Sequence, residues 1–187
     1  MTSPEHIVAA RPSIDEAAAA DTTTLAALWH ALGTVVDPEI PIVSIVELGI
    51  VRGVARDRDG WVITVTPTYS GCPATRVIES DIRAAVASTM EDKVRIATAL
   101  APAWTTDWIA PEARRKLQEA GIAPPHPSPG EGTQGQPVTL HRRRETVRCP
   151  RCGSLRTVEL ARFGSTACKA QYRCTDCLEP FDYFKPH

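Results

Sequence analysis

Residues 149–152 read Cys-Pro-Arg-Cys and residues 174–177 read Cys-Thr-Asp-Cys, two Cys-x-x-Cys pairs separated by 21 residues. At that spacing two hairpin tips can bring four thiolates to the corners of a tetrahedron, the arrangement of a structural zinc site. The main apolar residues of this segment are Leu155, Val158, Leu160, Phe163, Tyr172 and Phe181, too small a stock to hold a fold without a staple. Metal binding, on the order of 10–16 kcal/mol gross, would supply that energy. Four thiolates leave no open coordination position, so Cys149, Cys152, Cys174 and Cys177 read as structural ligands and no catalytic residue is assigned among them. A rubredoxin-like iron would use the same donors; zinc is preferred because nothing in the sequence marks an electron-transfer partner.

Five of the six cysteines fall in the last 39 residues, arranged for metal binding and not as a disulfide framework, so reduced thiols and a cytoplasmic setting are expected. The sixth, Cys72, stands alone. Within the ribbon, Cys168 is the odd thiol; its preferred reading is a small buried hydrophobe, the sharper one a meeting with Cys72 around transient iron. With 21 basic and 22 acidic side chains, the chain has no global field to gather nucleic acid or a membrane surface. The basic residues His141 to Arg144 and Arg148 precede the ribbon, but few aromatics are interleaved with them and the tail EPFDYF at 179–184 is acidic, so nucleic-acid binding is the weaker alternative. No apolar run approaches the roughly 20 residues that cross a bilayer, and no membrane partner is expected.

Residues 1–21, interrupted by Pro4 and Pro12, read as a disordered lead-in and not as a secretory signal. A helix with Leu25, Leu28, Trp29 and Leu32 on one stripe follows and is expected to close at Gly33. The segment DPEIP at 37–41 holds two prolines in five residues and reads as a rigid loop. Residues 50–56 and 61–66 flank the turn Asp57-Arg58-Asp59-Gly60 as a hairpin with Trp61, Ile63 and Val65 on its buried face. Ile78, Ile82, Ala85, Val86 and Met90 recur at helical spacing, and a third strand with Val94, Ile96 and Leu100 comes next. A last helix is expected from Pro111 to Gly121. Residues 22–120 thus read as a small two-layer α+β domain, 121–137 as a tether with nine Gly or Pro in seventeen residues, and 138–187 as the zinc ribbon.

Pro73 after Cys72 would start a helix and leave Cys72 at its N-cap, where unpaired backbone donors and the helix dipole favour thiolate over thiol. Such a sulfur suits a nucleophile or a soft-metal ligand. Asp37 and Glu39 could place carboxylates beside it; by spacing alone they could equally cap their own turn or face water. A thiol-dependent enzyme would need a nearby base, and His30, on a distant helix, fits packing better.

The runs DPEIP, ELGIVRGV, TPTYSGCP and PAWTTDWI resemble the domain of SufT-type iron–sulfur assembly proteins over roughly residues 25–110. Together with CPRCGS, FGSTACKA, YRCTDC and EPFDYFK they resemble one narrower family, PaaD (also PaaJ) of phenylacetate degradation. That resemblance implies an accessory protein of the multicomponent phenylacetyl-CoA epoxidase, whose oxygenase subunit carries a di-iron centre and whose reductase carries flavin and an iron–sulfur cluster. It further implies that Cys72, with the acidic loop of Asp37 and Glu39, binds iron or a cluster transiently, that oxygenase or reductase subunits are the partners, and that Cys149, Cys152, Cys174 and Cys177 hold zinc. One thiolate cannot hold a cluster alone, so a partner ligand or a homodimer is required. A non-catalytic structural subunit of the same complex is the alternative.

Overall fold

The computed structural model describes residues 22–69, 71–87, 89, 93–126 and 146–186. The lead-in 1–21, most of the expected tether, Met90 and the basic run His141 to Arg144 lie outside them. The chain forms two compact units, Met1–Trp104 and Thr105–His187.

The first unit opens with helix α1 (Thr22–Thr34), which buries Leu28, Ala31 and Leu32. It continues through Gly33, the expected stop, and ends where the Thr34 hydroxyl turns back onto the Ala31 carbonyl at 2.7 Å. Strands β1 (Val51–Asp57) and β2 (Gly60–Val65) form the antiparallel hairpin read from the sequence. Gly60 sits at φ 133, and a Cβ there would lie 2.3 Å from the Lys93 carbonyl oxygen, which accepts the Trp61 N–H at 2.8 Å. Helix α2 (Thr75–Ala87) then carries the chain across the sheet, and strand β3 (Val94–Thr98) joins β2 in parallel register to give the order β1-β2-β3. Trp61, Ile63 and Val65 point into the core with Ile78, Ile82 and Val86. Leu100, expected on the third strand, lies beyond its end and is exposed.

Much of this core comes from a segment without helical or strand periodicity. Between α1 and β1, Ile40, Val43, Ile45, Leu48 and Ile50 are all buried. Their backbone is tied by turns: Asp37 N–H reaches the Val43 carbonyl at 3.0 Å, Ile45 N–H the Val35 carbonyl at 3.0 Å, and Ile50 N–H the Ile45 carbonyl at 2.9 Å. Ser44 and Glu47 cap each other reciprocally, Ser44 N–H to the Glu47 carboxylate at 2.8 Å and Glu47 N–H to the Ser44 hydroxyl at 3.1 Å. The Trp104 indole N–H donates to the Leu48 carbonyl at 2.9 Å, anchoring the end of the unit on the same segment.

The second unit begins with a single 3₁₀ turn (Thr106–Trp108) and helix α3 (Pro111–Glu119), followed by β4 (Ile122–Ala123), β5 (Thr157–Ala161), β6 (Lys169–Cys174) and β7 (Pro180–Phe184). The sheet order is β4-β7-β6-β5, with β4 parallel to β7 and the other pairs antiparallel. This moves the expected boundary. The last helix and the first residues of the expected tether belong with the ribbon, because Ile122 and Ala123 pair with Asp182 and Tyr183. The Arg114 guanidinium stitches the segment together, donating to the carbonyls of Thr106 and Pro125 at 2.5 Å each. Gly121, at φ 81, ends the helix in the left-handed conformation that glycine adopts freely.

The ribbon's core also differs from the expected one. Leu155, Val158, Leu160 and Phe163 are 50%, 41%, 53% and 66% exposed; Val158 and Leu160 lie on β5, an edge of the sheet that bulges between Glu159 and Ala161. Tyr172 and Phe181 are buried as expected, and they are joined by Ala123, Val147, Cys149, Ala170, Cys174 and Tyr183. Tyr172 stacks on Phe181 with ring centres 5.9 Å apart and meets Tyr183 edge-on at 5.5 Å.

Candidate metal centres

The four ribbon cysteines converge: their sulfurs all lie within 4.8 Å of one another. Cys149 and Cys177 Sγ atoms are 3.8 Å apart, Cys152 and Cys174 3.6 Å. A tetrahedron with metal–sulfur bonds of about 2.3 Å has edges of about 3.8 Å, so the spacing and the all-thiolate donor set fit zinc. Each pair is a tight knuckle in which backbone N–H groups turn onto sulfur. Cys174 Sγ accepts from the N–H groups of Asp176, at 3.4 Å, and Cys177; Cys152 accepts from Ser154 N–H and Cys177 from Glu179 N–H. The residue after the second cysteine takes positive φ in both knuckles, Gly153 at 76° and Leu178 at 64°.

The knuckles are braced by contacts that the cysteine spacing did not reveal. The Ser154 hydroxyl of the first donates to the Asp176 carboxylate of the second at 2.5 Å, and Arg156 pairs with the same carboxylate. Both donors hold Asp176 below the usual carboxylate range. Arg148 donates to the Gly153 carbonyl at 2.7 Å. Cys168 is buried, its sulfur 3.1 Å from the Thr166 hydroxyl, in keeping with its reading as a small core residue.

Cys72 lies in the first unit and is half-buried. It is not the N-cap. Helix α2 starts at Thr75, and the Ala74 carbonyl accepts the first helical hydrogen bond, from Ile78 N–H at 2.9 Å; Cys72 occupies the turn before it, with its carbonyl receiving Thr75 N–H at 3.3 Å and the Thr75 hydroxyl at 2.9 Å. The thiol is pushed up from its ordinary value and not lowered as the N-cap reading required. Burial is the largest cause, and the Glu39 and Asp37 carboxylates add to it; hydrogen bonds from Ala74 N–H and the Thr68 side chain oppose them without prevailing.

Asp37 has a definite local job. Its Oδ1 accepts the N–H groups of Glu39 and Ile40, both at 2.8 Å, and the residue is 8% exposed. Of the readings open for it, capping its own turn is realised.

Residues 133–185 match the PaaD zinc beta ribbon domain, and residues 25–98 match a family described as iron-sulfur cluster assembly protein. Over 158 residues the chain is 49% identical to an Escherichia coli (strain K12) protein whose name assigns it to the subunits of 1,2-phenylacetyl-CoA epoxidase, covering 84% of this chain and 90% of that one. The chain belongs to the PaaD family. It is also 40% identical over 92 residues to the Fe-S protein maturation auxiliary factor YitW of Bacillus subtilis (strain 168), covering 48% of this chain and 89% of that one. Among solved structures, a domain of unknown function from Bacillus anthracis is 30% identical, covers 51% of this chain and 92% of its own, and superposes with a TM-score of 0.47. This PaaD-family chain therefore joins an iron–sulfur assembly domain to a four-thiolate ribbon, and none of its described helices is long and apolar enough to cross a membrane.

Proposed function

We propose that this protein is an accessory factor of a phenylacetyl-CoA epoxidase, handing iron or an iron–sulfur cluster to the oxygenase or reductase subunits while the zinc ribbon gives it a fixed surface for docking. The reading is supported by Cys72, a half-buried sulfur whose thiol is pushed up by burial first and then by the Glu39 and Asp37 carboxylates. Sulfur and carboxylate together suit iron. Because its pKa is raised, the Cys72 thiol keeps its proton at neutral pH until a cation displaces it, and the proton returns when the cation leaves. Such a ligand holds cargo lightly, which favours delivery over storage. Asp37 serves first to fix the turn that presents Glu39, so the site is shaped before cargo arrives. Ligands beyond those of one chain come from the client or from a second copy.

Cys72→Ser keeps the shape of the turn and removes the soft donor. In cells that depend on this chain for phenylacetate growth, the variant is expected to lower the iron content of purified epoxidase subunits and their activity together, with its own zinc retained. Full iron loading in those cells would remove the reading. The name of the Escherichia coli relative favours a second reading, a structural subunit. Under that reading, mature epoxidase purified and reconstituted without this chain turns over slowly; under the delivery reading its rate is undiminished.

A further inference from the structure

The four ribbon sulfurs share one site but differ in access. Cys149 and Cys174 are 1% and 0% exposed, Cys177 is half-buried, and Cys152 is exposed. The Asp176 N–H donates to Cys174 Sγ at 3.4 Å. Hydrogen bonds to a thiolate stabilise its charge and reduce its nucleophilicity. Cys152, the most exposed of the four residues, has its sulfur 3.6 Å from that of buried Cys174.

We propose that Cys152 is a site of oxidative modification, the point at which hydrogen peroxide opens the four-thiolate centre, and that Cys174 is the resolving thiol. The Cys152 thiolate attacks one peroxide oxygen, the O–O bond breaks, hydroxide leaves and Cys152 becomes a sulfenic acid. The Cys174 thiolate then attacks that sulfur, the S–O bond breaks, a second hydroxide leaves and a Cys152–Cys174 disulfide forms. Two electrons pass from the two sulfurs to peroxide, and two hydroxides are the only other products. Two of four donors are then spent, so the metal is released. Because Cys149 and Cys174 are also part of the ribbon's small core, the event loosens the second unit, and a dithiol reductant with zinc reverses it.

The test uses the zinc-loaded full chain and hydrogen peroxide, with released zinc read by a chromogenic chelator and disulfides mapped by mass spectrometry after alkylation. In the wild type, the first disulfide to accompany zinc release is expected to join Cys152 to Cys174. Cys152→His preserves a fourth donor and is expected to slow release by about tenfold or more, whereas Cys177→His, altering a more sheltered ligand, leaves the rate within about threefold of wild type. Both variants are first checked for one zinc per chain. A different first disulfide, or equal slowing by both histidine variants, overturns the proposal. Should neither variant load zinc, the wild-type disulfide map decides alone.

Discussion

Each unit of this chain contains a stretch that is neither helix nor strand yet must be held in one conformation, and the two units hold theirs by different means. In the first, residues 35–50 are fixed by turns, by the reciprocal Ser44–Glu47 cap and by the Asp37 carboxylate, and they repay this by burying Ile40, Val43, Ile45 and Leu48. In the second, two knuckles bury few large apolar groups, and their sulfurs converge on a site sized for a metal ion. A loop that buries aliphatic side chains can be secured by hydrogen bonds worth about 1 kcal/mol each. One that does not needs a tie an order of magnitude stronger. The first unit should therefore hold its fold without a metal and be sensitive to small polar changes, and the second the reverse.

The largest expected effect sharpens this contrast. Stripping zinc with a chelator removes a binding energy on the order of 10–16 kcal/mol gross from the second unit alone. Hydrogen exchange should then lose protection throughout β4 to β7 and in α3, because α3 leads into β4 and the Arg151 guanidinium of the first knuckle packs against Gly121 at its end. Amides of α1, α2 and β1 to β3 should keep theirs. Protection that persists in α3 after zinc loss would break the comparison, by showing that the helix does not draw its stability from the metal-held sheet.

A smaller effect is expected from the opposite manipulation. Asp37→Ala strips the acceptor from two N–H groups in the 35–50 segment, and should cost about 1–3 kcal/mol in urea unfolding with zinc content unchanged. Asp37→Asn keeps an acceptor and should recover most of the loss. Equal destabilisation by both would mean that the charge, and not the hydrogen bonds, secures the loop.

What the sequence disclosed follows the same division. The hairpin, the buried face of α2 and the four metal ligands were legible because each repeats at a short, regular spacing. The core of residues 35–50 has no period, so Ile40, Val43, Ile45 and Leu48 gave no signal beyond being apolar. The ribbon's core was misplaced because Val158 and Leu160 look like strand residues whichever strand they occupy; only the sheet order makes β5 an edge. The allegiance of α3 turned on Ile122 and Ala123 meeting β7 some sixty residues later, a long-range pairing that composition hid behind the prolines that follow. For Cys72, the sign of the shift depends on burial outweighing the Ala74 N–H, a balance that only coordinates provide.

The smallest expected effect lies within the metal-held unit and compares its two knuckles directly. Gly153 adopts φ 76° without steric cost, whereas Leu178 at φ 64° carries a Cβ in the left-handed region, a conformation costing roughly 1–2 kcal/mol. Its side chain is 68% exposed and recovers little of that by burial. Glycine loses about 0.5–1 kcal/mol more backbone entropy on folding, so Leu178→Gly should leave a net gain of about 0.5–1 kcal/mol. Competition against a chelator of known affinity should register this as a few-fold tighter hold on zinc, with urea unfolding of the first unit unmoved. If the variant holds zinc more weakly, the leucine side chain contributes to the second knuckle something that the glycine of the first does not need, and the two knuckles are not equivalent ties.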